Sequence, residues 1–300
     1  MRSVKWLEPG SHTTAACLAV VIILAAQLFW LRAVSTQEIP PPKIDQEFSK
    51  QEKIYRSQGA AVPQGYVIDR GLSGYAESLP TGFCDALSKL GSSDRWLDIG
   101  AGEGQAILDY YAPSSNAQKC VRSGDKARAV AMSIEDRRTD KWRQQAANLD
   151  DGRMRYIFGK RLSNYSSDDL GKFKLITDVF GGFSYTEHLS LFVEKVLSFL
   201  EVGGGFFTLV PGVHLTNAKD KLGILYLTEL EDAIGRPEKV CSWLKKATCV
   251  QVTCESKRDW KRPTELIHIQ KICTDTSVPR MKLVEFEAGY PPTRRFQMEQ

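Results

Sequence analysis

Three glycines follow the acidic residue Asp98 in the segment Trp96–Gly104, which reads W-L-D-I-G-A-G-E-G. The apolar run before the glycines predicts a short buried strand, and the residues from Gln105 onward predict a helix. Glycine lets the backbone bend sharply and approach a ligand closely, which a side chain would prevent. The first N–H groups of the following helix favour an anionic group. The segment therefore predicts a turn that binds a ligand with an anionic part.

This turn resembles motif I of the class I S-adenosylmethionine (SAM) dependent methyltransferases, an acidic residue followed by G-x-G-x-G. It differs from the dinucleotide-binding G-x-G-x-x-G, because the third glycine comes one residue earlier. The resemblance covers roughly residues 60–273 and implies SAM as the cofactor. It also implies that the amino-acid part of SAM lies against the residues of the turn, which are Asp98, Gly100, Ala101, Gly102 and Gly104.

Further acidic positions follow in the order of that family. Glu135 ends the predicted second strand and matches the acid that binds the ribose hydroxyls, with Asp136 as the alternative. The gap from Gly104 exceeds the ~20 residues typical of such fingerprints, so we expect an insertion around Tyr111–Lys126. Asp178, near the end of the predicted fourth strand, matches motif IV and is expected at the cofactor.

The chain departs from the family in two places. After the third strand, where the family often has an acidic residue near the adenine, the sequence reads F-G-K-R at residues 158–161, so no adenine contact is predicted. Leu200–Gly205 resembles the L-x-P-G-G turn before strand five, but Val202 replaces the proline.

Methyl transfer requires a positioned acceptor and, for an oxygen or nitrogen acceptor, removal of a proton. His188 follows the fourth strand, beside the expected position of the methyl group, and is the first candidate for a catalytic base. For His188, the pattern fits a solvated histidine at a helix start equally well. Tyr185 is the second candidate for a catalytic base. Glu187 in the same segment and His214 after strand five are lesser candidates. A lid over the cofactor, or ordinary surface, is expected for four residues before the glycine turn: Tyr66, Asp69, Arg70 and Tyr75.

Alternating strand and helix patterns predict an α/β fold with a doubly wound, mainly parallel seven-stranded sheet and helices on both faces. The last two strands are close in sequence and would end the sheet antiparallel. Leu222–Ile234 is expected to be helical, and residues 276–300, with three prolines, irregular. The predicted strands are Trp96–Ile99, Ala129–Ile134, Met154–Phe158, Lys174–Val179, Phe206–Val210, Cys249–Cys254 and Glu265–Ile272.

Composition and charge narrow the function classes. The net charge is +4 in 300 residues, without a block of like charges, and no Asn/Asp-Pro-Pro-Tyr/Phe or Pro-Cys signature occurs, so a nucleic-acid acceptor is not indicated. The seven cysteines show no C-x-x-C or other metal-ligand spacing, so no metal is expected. We expect buried free thiols rather than disulfides, which favours a reducing compartment.

The N-terminal region carries a candidate membrane segment. Ala15–Leu31 is apolar except for Gln27 and has about the minimum of ~17 residues for a spanning helix. A cleaved signal peptide is the alternative, with Ala33-Val34-Ser35 as its cleavage site. The expected organisation is an anchor or signal over 1–35, a proline-containing linker over 36–55, a methyltransferase-like domain over 56–275, and a tail over 276–300.

These observations lead to one leading hypothesis and its alternatives. The first is a membrane-anchored SAM-dependent methyltransferase (EC 2.1.1-type) for a small or lipophilic acceptor, since an anchor raises the local concentration of a lipid-soluble substrate. Flanking charges leave the orientation open, but the supply of SAM favours a domain that faces the cytosol. The alternatives are a non-catalytic binding or regulatory module, another nucleotide-binding Rossmann enzyme, and, for location, a secreted or periplasmic protein. The oligomeric state stays open.

Overall fold

The computed structural model describes residues 70–113, 120–121, 126–149, 151–210, 227–257, 264–287 and 293–300. The predicted membrane segment Ala15–Leu31, the linker 36–55 and the candidates Tyr66, Asp69 and His214 lie outside these ranges. Within them, every helix is too short or too polar to span a bilayer.

Short helices and strands alternate through most of the described chain. The helices are α1 Leu72–Ser78, α2 Phe83–Ser88, α3 Gln105–Tyr111, α4 Asp140–Leu149, α5 Ser167–Leu170, α6 Gly182–Tyr185, α7 Leu189–Phe199 and α8 Val240–Leu244. The strands are β1 Arg95–Ile99, β2 Arg128–Met132, β3 Met154–Ile157, β4 Phe173–Asp178, β5 Leu200–Val210, β6 Leu227–Glu231, β7 Pro237–Glu238, β8 Val250–Lys257, β9 Thr264–Lys271, β10 Met281–Glu287 and β11 Thr293–Met298.

Seven strands form the main sheet, in the order β3-β2-β1-β4-β5-β9-β8. The first five strands in this order run parallel, whereas β9 pairs antiparallel with both β5 and β8. The chain order reverses between β1 and β4, where open α/β sheets have their ligand crevice at the carboxyl ends of the strands. The predicted mainly parallel, seven-stranded α/β sheet is therefore confirmed.

Alternating side chains of the parallel strands divide into two hydrophobic cores. Leu97 and Val130 belong to one core, together with Val193 of α7 and Trp243 of α8. Their strand neighbours face the second core, which contains Ile107 of α3. Because successive strand residues point to opposite faces, uninterrupted apolar strands require cover on both sides. The prediction of helices on both faces is confirmed.

A second sheet of four strands has the order β10-β11-β6-β7. Phe296 of β11 is fully buried, and Met281 at the start of β10 is 6% exposed; both belong to the same core as Val193. This corrects two expectations, because residues 276–300 contain two paired strands and Leu227–Glu231 is a strand rather than part of a helix. Apolar residues that recur in a short window fit either period, and here the pairing with β11 selects the strand.

Six of the cysteines form disulfides, which corrects the expectation of free thiols. The pairs are Cys84–Cys120, Cys241–Cys254 and Cys249–Cys273. Each pair joins separate elements or their flanking residues, so the spacing along the chain does not reveal it. Disulfides persist in oxidising compartments and are rare where thiols are kept reduced.

The glycine segment 203–205 also differs from its expected place. It lies within β5, which begins at Leu200, rather than in a turn before the strand. The register between β4 and β5 shifts at this point, between Phe173 and Leu175. A Cβ at Gly204 would lie 3.0 Å from the carbonyl oxygens of Glu201 and Lys174, so glycine permits the close approach of the two strands.

Candidate functional site

The turn after β1 is held in a left-handed conformation by its three glycines. Gly100, Gly102 and Gly104 have φ values of +73°, +57° and +83°. The amides of Gly100 and Ala101 both donate to the carbonyl of Met132, at 2.9 and 3.0 Å, which fixes the turn to the end of β2. Positive φ costs a residue with a Cβ about 1–2 kcal/mol, which explains the glycine at each of these positions.

A second turn, between β4 and α6, touches the first through its backbone. A Cβ on Gly100 would lie 2.5 Å from the Cα of Gly181, and a Cβ on Gly181 would lie 2.5 Å from the carbonyl oxygen of Ile99. Ile99 and Asp178 are partners in the parallel register, so β1 and β4 end side by side. The structure thus brings the predicted motif I turn and the predicted motif IV position together at the reversal of strand order.

Two aromatic residues that the sequence analysis did not single out support the glycine turn. The Tyr156 hydroxyl donates to the carbonyl oxygen of Gly102 at 2.6 Å and, at a longer distance of 3.4 Å, to that of Glu135. Trp142 of α4 packs edge-on against Tyr156, and a Cβ on Gly104 would lie 2.4 Å from its ring. These contacts join residues between 14 and 54 positions apart, so local patterns do not reveal them.

Asp98 is fully buried, and neighbouring side chains donate to its carboxylate. The Tyr75 hydroxyl lies 3.0 and 2.9 Å from its two oxygens, and Thr177 Oγ1 donates at 2.7 Å. Trp96 Nε1 in turn donates to the Thr177 hydroxyl at 2.8 Å. Burial raises the pKa of Tyr75 well above its usual value, and the charge of Asp98 adds to this. Tyr75, expected in a lid or on ordinary surface, instead connects α1 to the end of β1.

Tyr75→Phe should lower the free energy of unfolding by about 2 kcal/mol, because a hydrogen bond to a buried charged group contributes about 1.5–3 kcal/mol. Thermal unfolding at neutral pH measures the effect, with an expected fall in Tm of about 4–8 °C for a domain of this size. Tyr165→Phe is the matched control, since this half-buried tyrosine packs on the other core. Equal Tm values for both variants would contradict a stabilising role for the Tyr75 hydroxyl.

The two acidic residues after β2 carry ion pairs with their neighbours. Arg137 lies 2.6 Å from Glu135, whose side chain is 42% exposed. Arg138 donates from Nε and Nη2 to Asp136 at 2.8 and 2.7 Å, and these hydrogen bonds lower the pKa of Asp136 to about 2. The Asp136 carboxylate is therefore charged at neutral pH, whereas Glu135 pairs with Arg137 and stays accessible from solvent.

Asp178 is buried and caps the turn before α6. Its oxygens accept from the amides of Gly181 and Phe183 at 2.8 and 2.9 Å. Burial raises the pKa of Asp178 to about 7, against the backbone amides and the charge of Arg294, which lower it. In this position the carboxyl group orders the turn.

The candidate bases lie beyond this turn. His188 is exposed and precedes α7, with its backbone amide donating to Thr186 Oγ1 at 3.0 Å. Tyr185 ends α6 and is partly buried. Arg70 lies over the ring of Phe180, 4.5 Å from its centroid, so the segment before α1 covers the end of β4. Phe180 has a φ of +57°, an uncommon conformation for a residue with a side chain.

Metal chemistry has no candidate in this part of the chain. Among the described residues, no group of three or more histidine, cysteine, aspartate or glutamate side chains is placed to hold a metal ion.

Comparison with known proteins gives similarity of structure only. No protein-family model and no curated protein matches the chain. A precorrin-6y C5,15-methyltransferase from Geobacter metallireducens GS-15 is 16% identical over 64% of this chain and 86% of its own, with a TM-score of 0.35. A phosphoethanolamine N-methyltransferase 2 from Haemonchus contortus, in complex with phosphomonomethylethanolamine and S-adenosylhomocysteine, is 9% identical over 77% and 61%, with a TM-score of 0.47.

The CMeT domain of the citrinin polyketide synthase is 12% identical over 61% of this chain and 47% of its own, with a TM-score of 0.40. This chain thus spans less than two thirds of the length of two of these structures. All three identities lie below 25% and all three TM-scores below 0.5, so these similarities do not assign a function to this chain.

Proposed function

We propose that this chain is a SAM-dependent methyltransferase that binds SAM at the turn after β1. The observation that carries the proposal is the turn itself, in which Gly100, Gly102 and Gly104 all have positive φ at the carboxyl end of β1. That end lies at the reversal of strand order, the usual ligand crevice of an open α/β sheet. An acidic residue before G-x-G-x-G separates this turn from the dinucleotide fingerprint.

The described residues fit the parts of SAM. Glu135, with its side chain 42% exposed, would accept from the ribose hydroxyls, and the glycine turn would leave room for the amino-acid part. Asp98 is enclosed by Tyr75 and Thr177, so we expect it to support the turn through the backbone of β1. SAM supplies an activated methyl group when bound. His188 and Tyr185 are the proposed acceptors of a proton from the methyl acceptor.

Titration calorimetry of the full-length chain with SAM, S-adenosylhomocysteine and NAD(H) tests the cofactor. We expect SAM and its product to bind and NAD(H) not to bind. Absence of SAM binding would rule out the proposal, and binding of NAD(H) alone would favour a different Rossmann enzyme. Tight binding of both SAM and product, without methyl transfer to any acceptor, would favour a non-catalytic module.

Gly102→Val should weaken SAM binding at least tenfold, because the new side chain occupies the turn and strains a φ of +57°. Gly152→Val is the matched control. Gly152 also has a positive φ, +65°, and an added Cβ would meet open space. It precedes β3, at the amino ends of the parallel strands, whereas the glycine turn follows the carboxyl end of β1. Calorimetry with SAM on both folded variants separates an effect on the cofactor site from the backbone strain that both substitutions cause. Equal affinity in the two variants would remove the turn from the cofactor site.

A small or lipophilic methyl acceptor and an N-terminal anchor belong to the same proposal. Their support is the apolar sequence Ala15–Leu31, which would hold the domain at a bilayer. Incubation of the chain with methyl-labelled SAM and with separate lipid and polar extracts of the producing cells tests the acceptor. Label in the lipid extract supports a lipophilic acceptor, and label only in the polar extract contradicts it. N-terminal sequencing of the mature protein shows whether residues 1–35 are retained.

We propose that the domain matures in an oxidising compartment, which favours the exported alternative over a cytosolic orientation. The support is the three disulfides, since such bonds are rare in compartments where thiols are kept reduced. Protein from cells lysed in a membrane-permeant alkylating reagent gives the test. Six blocked thiols in the described domain would contradict the proposal, whereas unlabelled pairs support it. In an oxidising compartment, SAM would have to be delivered from the cytosol.

A further inference from the structure

Arg294 of β11 is a buried cation that reaches from the second sheet to the turn after β4. Only 2% of the residue is exposed. Its Nη2 donates to the carbonyl of Phe183 at 2.9 Å, and its Nη1 donates to the carbonyl of Thr186. The same guanidinium donates to Thr228 Oγ1 of β6, from Nη2 at 2.8 Å and from Nε at 3.2 Å. One side chain thus joins β11, β6 and both ends of α6.

The turn is consequently held from two directions. Asp178 accepts from the amides of Gly181 and Phe183, at the start of the turn, while Arg294 donates to the carbonyls of Phe183 and Thr186. A planar guanidinium fork can direct several donors at fixed angles, which a lysine ammonium cannot reproduce. Burial of a charge is costly unless it is paired or hydrogen-bonded, and these acceptors supply that compensation.

Two buried hydroxyl groups near the turn do not form hydrogen bonds with it. Ser184 in α6 and Thr208 in β5 are both buried, and their hydroxyls lack a hydrogen-bond partner in the described part of the chain. Thr208 is the register partner of Asp178. Asp178 and Arg294, by contrast, both form hydrogen bonds with the backbone of the turn.

We propose that Arg294 is a positioning residue, through which the second sheet sets the conformation of segment 181–188 at the cofactor site. The inference rests on the proposed function, because it assigns this segment, with Tyr185 and His188, to the reacting side of SAM. Gly181 contacts Gly100 in the glycine turn, so a displaced segment alters the cofactor site as well. The C-terminal strands would then be part of the active unit.

Two variants separate the geometry of Arg294 from its charge. Arg294→Lys keeps the positive charge and loses the fork, whereas Arg294→Met loses both. In hydrogen–deuterium exchange of the full-length protein, well below each Tm, we expect the amides of 181–188 to exchange roughly tenfold faster in Arg294→Lys, since hydrogen bonds from a charged donor are lost. Carboxyl carbon NMR should show a higher pKa for Asp178 in Arg294→Met, because the cation that lowers it is gone.

Arg295→Lys is the matched control, one residue along the same strand. Arg295 is partly exposed and pairs with Glu285 at 2.7 Å, so its replacement should leave exchange in 181–188 unchanged. Calorimetry with SAM should show weaker binding for both Arg294 variants and unchanged binding for the control.

The outcomes distinguish the inference from the function on which it rests. If the parent chain binds no SAM, the proposed function fails, while local exchange still reports whether Arg294 orders the turn. Unchanged exchange in 181–188 for both Arg294 variants would overturn the positioning role. So would faster exchange spread evenly over β1, β2 and the turn with unaltered SAM affinity, since that pattern indicates general stabilisation only.

Discussion

Gly100→Ala should lower the free energy of unfolding by about 3 kcal/mol and prevent SAM binding. Two costs combine at this position. A Cβ at a φ of +73° costs about 1–2 kcal/mol. The same Cβ would lie 2.5 Å from the Cα of Gly181, and overpacking of this kind costs about 1–3 kcal/mol. Because backbone lies on both sides of the contact, relief requires the two turns to move apart.

Thermal unfolding and SAM calorimetry measure these effects, with an expected fall in Tm of about 6–12 °C. Gly152→Ala is the matched control, because it has a φ of +65° and open space around its Cβ, so it carries only the conformational cost. Gly181→Ala introduces the steric contact between the two turns without the cost of a positive φ, since Gly181 has a φ of −97°. If Gly100→Ala were no less stable than Gly152→Ala, the close contact of the two turns would be refuted.

Removal of the disulfides should destabilise the domain by about 3–4 kcal/mol for each pair. The pairs close loops with sequence separations of 13, 24 and 36 residues. Cross-links over such loops stabilise a protein by about that amount in the chain-entropy treatment. Folded domains are stable by only about 5–15 kcal/mol, so the domain with all three pairs reduced should be unfolded at about 37 °C.

Thermal unfolding with and without a phosphine reductant tests this expectation, and peptide mapping without reduction identifies the pairs. Cys249→Ala/Cys273→Ala should lower Tm and remove part of the response to reductant. Cys17, which lies outside the described residues, provides the control, because Cys17→Ala should leave that response unchanged. Seven thiols that react in denaturant without reductant would contradict the disulfides.

Local sequence patterns predicted much of the fold. The apolar runs at β1 and β4 are local features, which a short window of the sequence contains. The same holds for the glycine turn after β1, since a left-handed backbone requires glycine at those positions. The sequence also placed Asp178 at the end of β4, where the structure has it.

Contacts between distant residues were beyond such patterns. Leu227–Glu231, Met281–Glu287 and Thr293–Met298 are strands that pair with one another, and their short apolar segments do not distinguish strand from helix. The bonds of Arg294 to the α6 segment span 108 and 111 residues, and in the sequence Arg294 is simply one of two adjacent arginines before Phe296. The cysteine pairs likewise depend on which elements pack side by side.

The segment Trp96–Gly104 shows which features the sequence predicts and which depend on the tertiary structure. Its residue types alone predicted a strand followed by a sharp glycine turn, because those are properties of the local backbone. Tertiary structure decided that Asp98 is enclosed by Tyr75 and Thr177, that Tyr156 and Trp142 support the turn, and that Gly181 closes against Gly100. These are contacts through space, and only the packing of distant elements creates them.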